Sequence, residues 1–344
     1  MRLRAAVALI TGIVLIVPVP AGALPKGTKV QTYQGGLNFP IDMSWVKGTN
    51  KIFFTERGGK IRVMRGRKLL KRPCITLGVR SDGERGLLGL ALHPNFKKNH
   101  FLYAFFTEAS PLQNRVNRYK VTKNRCKHNK TIVDGLDASS GYHNGGQIEF
   151  MNGKLFISTG EGHSAGTAQS TSNRLGKILR VNPGGSIPGN NPFGNAVWSY
   201  GHRNPFGLAH RPGTDLLYET ENGPSCDDEL NLIRKGRNYG WGDGYSCGTR
   251  GVGPDPKGPM RRYSSIIVPT DLWWYSGRLD ALDNHLLMGD YSGNLHSFKM
   301  RQNGTRVKKE RTIYSTGGIL DVAKGPGGWP YFMTSSGMFR IVKK

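Results

Sequence analysis

Lys154–Thr159, KLFIST, is a short apolar run closed by a polar residue, and the chain repeats it. Lys51–Thr55 (KIFFT), Leu102–Thr107 (LYAFFT) and Leu216–Thr220 (LLYET) are close copies. Leu286–Asp290 (LLMGD) and Pro330–Thr334 (PYFMT) are looser ones. The ends of the six runs lie 52, 52, 61, 70 and 44 residues apart. Apolar runs of this length between Gly-rich turns read as strands, and a repeat of about fifty residues is the mark of propeller blades. Six copies predict an all-β chain folded as a six-bladed β-propeller. The regular period argues against a pair of β-sandwiches.

Each copy follows a second apolar strand: Phe39–Trp45, Gly86–His93, Gly146–Phe150, Pro205–His210, Thr270–Tyr275 and Ile319–Ala323. These are read as the inner strands, which converge on a central channel, so the residues that lead into them should meet at one mouth. Lys29–Tyr33 precedes the first blade and is expected to close the ring beside Met338–Val342, leaving no open sheet edge. Three loop segments are assigned to the same mouth: His163–Asn173, Asn182–Asn195 and Gly242–Pro259.

The chain has 344 residues, with 48 Gly and a net charge of +26. Arg2 and Arg4 precede an apolar run from Ala5 to Val19, and Ala21-Gly22-Ala23 offers small residues for cleavage. This predicts an export signal over residues 1–23, cleaved near Ala23, and one propeller domain over 24–344. Pro18 and Pro20 break the run and argue against a membrane anchor. The expected location is the periplasm or the exterior. Four cysteines survive cleavage, and near-neighbour loop closure favours Cys74–Cys126 and Cys226–Cys247 among three pairings. Without a close CxxC pair, zinc is a poor reading. Basic residues cluster in 60–72, 115–130 and 306–311, either as a solvated outer surface or as a non-specific attraction for anionic surfaces. With an export signal and no nucleic-acid-binding motif, no nucleic acid is expected.

The densest chemistry lies in Trp198–Trp241, which holds GHRNPFGLA, ENGPSCDDELNLI and NYGW. Gly223-Pro224 forms a tight turn whose carbonyls can face a cation, and Asp227-Asp228-Glu229 is an oxygen cluster suited to a hard metal ion. This stretch resembles the soluble quinoprotein glucose/sorbosone and aldose sugar dehydrogenases. GERGLLGLA at 83–91, HNGG at 143–146 and LGKILRV at 175–181 extend the resemblance over most of the chain from Leu37 onward.

The resemblance implies a propeller that binds pyrroloquinoline quinone (PQQ) and calcium and oxidises a sugar or related alcohol. It makes His143 the base for the hydroxyl proton and Arg203 the donor to the quinone oxygens. Asn204 would bond the cofactor or cap its turn, and Glu84 would face the sugar or stand as a solvated loop acid. His202 would pack beneath Arg203. The carbonyls of Gly223 and Pro224 would hold the cofactor's calcium. Glu229, the Tyr239 carbonyl and Asp243 would hold a second, structural ion, with Asp227 and Asp228 ordering the turn.

Three places depart from the family. Its basic partners for the PQQ carboxylates fall at Gly289–Gly293 and Gly317–Val322, where Tyr291 and Leu320 stand and no cation does. Gln147 replaces the arginine that follows the family's histidine and glycines. The leading expectation is an exported PQQ- and calcium-dependent sugar dehydrogenase with an unnamed electron acceptor. The alternative is a calcium-stabilised carbohydrate-binding propeller without redox activity. Lactone hydrolysis by a calcium-bound water fits the same fold.

Overall fold

Every KLFIST-like run is the second strand of an antiparallel blade. The computed structural model describes residues 22–344, so the export signal read at 1–23 lies almost wholly outside the described residues. Six sheets form the six blades of a propeller. Their inner strands are Pro40–Trp45, Leu87–Leu92, Gly145–Met151, Pro205–His210, Pro269–Tyr275 and Ile319–Lys324, within a residue of the expected positions. Each inner strand neighbours the next, and the last lies beside the first, which closes the ring. Thr28–Gly35 pairs antiparallel with Gly337–Lys343, so the chain's beginning supplies the outer strand of the last blade, as expected. Blade one is the irregular one: its outer edge is two short pieces, Lys68–Leu69 and Ile75–Thr76, both paired with Lys60–Arg65.

The second strands are apolar on both faces because each blade is sandwiched between two others. Lys51–Glu56 and Lys154–Thr159 are buried from their second residue onward. Alternate side chains therefore enter different cores. Phe53 packs between blades one and two, whereas Phe54 packs between blades six and one. Six such clusters account for the six interfaces between neighbouring blades.

Both expected disulfides are formed. Cys74–Cys126 ties the outer edge of blade one to the outer strand of blade two, and Cys226–Cys247 closes the loop that carries the acidic triplet. Among the described residues no helix is long and apolar enough to cross a membrane.

One loop assignment is overturned. Inner strands run away from the mouth that carries His143, second strands return to it, and third strands run away again. The loop after the third strand of blade three, residues 182–195, must therefore lie at the far mouth. The Pro183 carbonyl confirms this by accepting from the Tyr103 hydroxyl (2.9 Å), at the far end of blade two. Residues 163–173 and 242–259 do lie at the His143 mouth, the first with a short 3-10 turn, Ala165–Gln169.

Candidate active site at the channel mouth

The strand directions bring four sequence-distant segments to one rim. Glu84 lies between blades one and two, and His143 between blades two and three. Glu161 follows the second strand of blade three, and Arg203 and Asn204 precede the inner strand of blade four. Glu84 Oε2 accepts from the His143 amide (2.8 Å) and from Asn204 Nδ2 (3.0 Å). Asn204 Oδ1 accepts from the Gly145 amide (3.1 Å), and the Arg203 carbonyl accepts from the Glu161 amide (2.8 Å). Glu84, His143, Arg203 and Asn204 thus form one bonded group, as their places ahead of inner strands led us to expect.

His143 is buried, and its Nδ1 is in direct hydrogen bond with Glu161. A carboxylate only accepts, so it fixes the proton on Nδ1 and leaves Nε2 with its lone pair. The close approach depends on Gly160, where a Cβ would run into the His143 carbonyl. The His163 ring stands edge-on, 4.1 Å from His143, and stacks on Tyr142. Glu161 escaped the sequence reading. A usable signal existed: Thr55-Glu56, Thr107-Glu108 and Thr220-Glu221 also put a carboxylate at the end of a second strand.

Arg203 donates through Nη1 to the carbonyls of Asn222 (2.9 Å) and Gly223 (2.7 Å), and Trp241 covers its guanidinium at 5.3 Å. Its Nε is buried without a partner, as is Oε2 of Glu161. Burial lowers the Arg203 pKa, and the carboxylates of Glu221, Glu161, Glu84 and Asp228 oppose that. His202 lies fully buried beneath, between Ser199 and Glu221, and stacks on Tyr239 at 4.7 Å.

The Gly223-Pro224 turn is as tight as expected, since a Cβ at Gly223 would collide with the Cys226 carbonyl. Asp228 anchors the turn, accepting from the amides of Gly223 (2.8 Å), Ile267 (2.7 Å) and Val268 (2.8 Å). Asp227 accepts from the Tyr245 hydroxyl (2.7 Å) and the Gly248 amide (2.5 Å). Both acids thus order the loop, the role kept for them. The structural-ion set has mixed surroundings. Glu229 is buried and pairs with Arg262 (3.3 Å), and burial pushes its carboxyl up to about 7. Asp243 is exposed, with its carboxylate against Gly166.

A cavity of about 290 Å³ opens beside these groups. Gly145 and Phe206, neighbours of His143 and Arg203, line it with Glu84, Phe39, Leu88, Val268, Tyr291 and Leu320. Among the described residues Arg57 is its one lining cation; it packs on Phe39 at 4.7 Å and was missed in the sequence because it belongs to no motif. Below sit Asp42, Asp271 and Asp321 on three inner strands. Gln147 donates to Asp271 (2.9 Å), which is the use this chain makes of its departure from the family pattern.

Burial pushes Asp271 up to about 6, against hydrogen bonds from Asp321 and Gln147 that lower it. A carboxyl raised above its ordinary value supports the fold fully below about pH 4 and loses that contribution as pH rises through about 6. Stability should therefore fall between pH 4 and 7, and Asp271→Asn should flatten the slope. Denaturant unfolding across that range checks it, and an unchanged slope would assign the titration elsewhere.

PQQ is a planar quinone with three carboxylates. Its reactive end matches: the orphaned Arg203 Nε offers a donor, and His143 offers a base. Its three carboxylates are matched less well, because the cavity lining offers Arg57 as its single cation, with Tyr291, Leu320, Val268 and buried Asp271 around it.

The model of the glucose/sorbosone dehydrogenase family matches residues 37–343. An aldose sugar dehydrogenase of Escherichia coli is 28% identical over 352 residues, covering 93% of this chain and 94% of that one. The quinoprotein glucose dehydrogenase B of Acinetobacter calcoaceticus is 34% identical over 244 residues, 60% of this chain and 50% of its own length. The PQQ-bound aldose sugar dehydrogenase of Streptomyces coelicolor superposes with a TM-score of 0.79 at 28% identity, covering 93% of this chain and 99% of that one.

Proposed function

The chain belongs to the glucose/sorbosone dehydrogenase family, and we propose that it oxidises a hydroxyl of a sugar or related alcohol with PQQ and calcium as cofactors. The observation that carries this reading is the His143–Glu161 pair beside an orphaned Arg203 donor at the mouth of a cavity. His143 Nε2 takes the hydroxyl proton while Glu161 holds the ring and steadies the imidazolium that forms. Glu84 and Asn204, bonded to each other, orient the substrate side of the rim. Arg203 directs its free Nε at the oxygen where negative charge develops. PQQ, when bound, supplies the two-electron acceptor for the hydride. Arg203, Asn204 and, through calcium, the carbonyls of Gly223 and Pro224 would hold it. Arg203 already donates to the Gly223 carbonyl (2.7 Å), so a calcium ion held there would share that oxygen with the guanidinium.

The test is a titration of purified protein with PQQ in calcium, read as dye reduction over a panel of sugars. The expected result is turnover that needs PQQ, with weak PQQ affinity because Tyr291 and Leu320 supply no charge. Absence of both binding and turnover moves the assignment to a carbohydrate-binding propeller without redox chemistry, the reading that a cavity wall with Arg57 as its single cation favours.

Calcium on Gly223 and Pro224, and a second ion on Glu229, the Tyr239 carbonyl and Asp243, would bind the native state only. At a hundred times its dissociation constant, calcium should add about 2.7 kcal/mol. Chelator should therefore lower the melting temperature, and an unchanged melt in metal-stripped buffer rejects both ions. Two formed disulfides support an oxidising setting, and we read residues 1–23 as the export signal. N-terminal sequencing of exported protein should begin near Leu24; an intact Met1 rejects cleavage.

A further inference from the structure

Acids and bases are segregated along blades one and two. From Met43 to Val133 the only carboxylates are Glu56, Asp82, Glu84 and Glu108, and all four lie at the His143 end of their strands. The far ends of these blades carry bases and no acid. The segments are held as one face. The Lys97 ammonium lies against the turn at Gly48, Lys120 Nζ donates to the Asn99 carbonyl (2.7 Å), and Arg65 donates to Asn124 across the blades (3.4 Å). Arg125 donates to the Pro73 carbonyl (2.6 Å), beside the Cys74–Cys126 disulfide. Lys47, Lys97, Lys98, Lys120 and Arg65 are all exposed. A one-signed face of this kind lacks internal counter-charges, unlike a surface of interspersed pairs.

The face borders the far mouth of the channel, a cavity of about 820 Å³ whose rim includes Lys47, Lys97 and Lys98. Its wall includes Trp45, Trp273 and His93, and the Trp45 indole N–H is buried without an acceptor. Four acids also line it: burial raises Asp42 and Asp321 well above the ordinary carboxylate range and Asp271 to about 6, and Glu149 is bonded to His210 (2.5 Å), so the anionic groups of a ligand belong at the lysine rim and not on the Asp271 side. Among the described residues, none of the exposed large apolar side chains, Leu112, Tyr142, Ile187, Ile266 and Tyr291, lies on the far turns of blades one and two.

We propose that the far mouth and the adjoining basic face bind an acidic polysaccharide, with a chain segment in the cavity and its anionic groups along the lysines. Aromatic walls suit the apolar faces of sugar rings, an orphan indole N–H suits a hydroxyl or carboxylate, and the volume is that of a small-molecule site. The missing apolar anchors disfavour a membrane, to which binding would be by charge alone. This proposal does not depend on the redox reading, because the site lies at the opposite end of the channel and is read by binding.

The experiment measures binding of polygalacturonate oligomers, with neutral dextran, phosphatidylglycerol vesicles and duplex DNA as comparisons. Binding to polygalacturonate should exceed dextran at least tenfold at physiological ionic strength and weaken as salt shortens the Debye length from about 8 Å. The double variant Lys97→Glu, Lys98→Glu, on an exposed helix, should lose at least tenfold. Trp45→Phe keeps the ring packing on Tyr33 and Tyr331 but removes the N–H, and should lose severalfold for the oligomer and nothing for vesicles or DNA. Dye reduction should be unchanged in the lysine variant. The proposal is overturned by equal binding to dextran, by an unaffected charge-reversed variant, or by vesicles or DNA binding as tightly with Trp45→Phe indifferent.

Discussion

Replacing His143 with alanine should lower dye-coupled turnover by about a hundredfold to ten-thousandfold, the usual worth of a positioned base, which is about 2.7–5.5 kcal/mol of barrier. The expectation rests on one geometric fact: Nδ1 is committed to Glu161 and Nε2 is not. The same fact predicts a graded partner effect. Glu161→Gln replaces a pure acceptor with a group that can also donate, so the ring is no longer held in one tautomer, and turnover should fall at least tenfold while His143 stays in place. PQQ affinity and the chelator-sensitive melt should survive both changes, because neither residue is a proposed metal or cofactor ligand. If His143→Ala is as active as the unaltered protein, the dehydrogenase reading stands and the base lies elsewhere, with His163 the nearest imidazole. If Glu161→Gln alone is inactive, the carboxylate is the base and the histidine its support.

What the sequence made legible follows from what repeats. A strand buried on both faces must be apolar throughout, so the second strands stand out wherever they recur, and their order fixes the blade count. Ring closure was equally readable, since Lys29–Tyr33 had no other blade to join. The loop at 182–195 was misplaced because Gly and Pro content marks a loop without saying at which end of a strand it lies; only strand direction does. Within the site, residues ahead of inner strands could be grouped in advance. Those at the ends of second strands were not: the recurring Thr-Glu endings marked a carboxylate there, but Glu161 pairs with His143 only because Gly160 lets the backbone approach, which the sequence does not show. Arg57 was hidden for a similar reason: it belongs to no motif in the sequence, and only the fold brings its guanidinium to the Gly83 carbonyl (3.2 Å).

Glu221→Ala should be the most destabilising single change at this rim, by about 3–5 kcal/mol, because it strips a buried charged group from several partners at once. Oε1 accepts from the amides of Arg203 (3.1 Å) and Asn204 (2.5 Å), and Oε2 meets His202 Nδ1 (2.9 Å). Without them two backbone N–H groups are left buried and unpaired, each costing about 1–3 kcal/mol. His202, fully buried between Ser199 and Tyr239, loses its second partner as well. One effect opposes this. Glu219 lies beside Glu221, and the charge of Glu221 helps to raise its pKa. Burial is the larger cause of that rise and Glu221 the smaller, so relieving their repulsion returns less than the lost bonds cost. The net sign is therefore a loss, and activity should vanish with it, since the turn that presents Arg203 and Asn204 is hung on this carboxylate. Arg203→Ala separates the two consequences: it should cost turnover with a much smaller change in melting temperature. A Glu221→Ala protein that melts like the unaltered one would show that the turn is held by blade packing rather than by these three bonds.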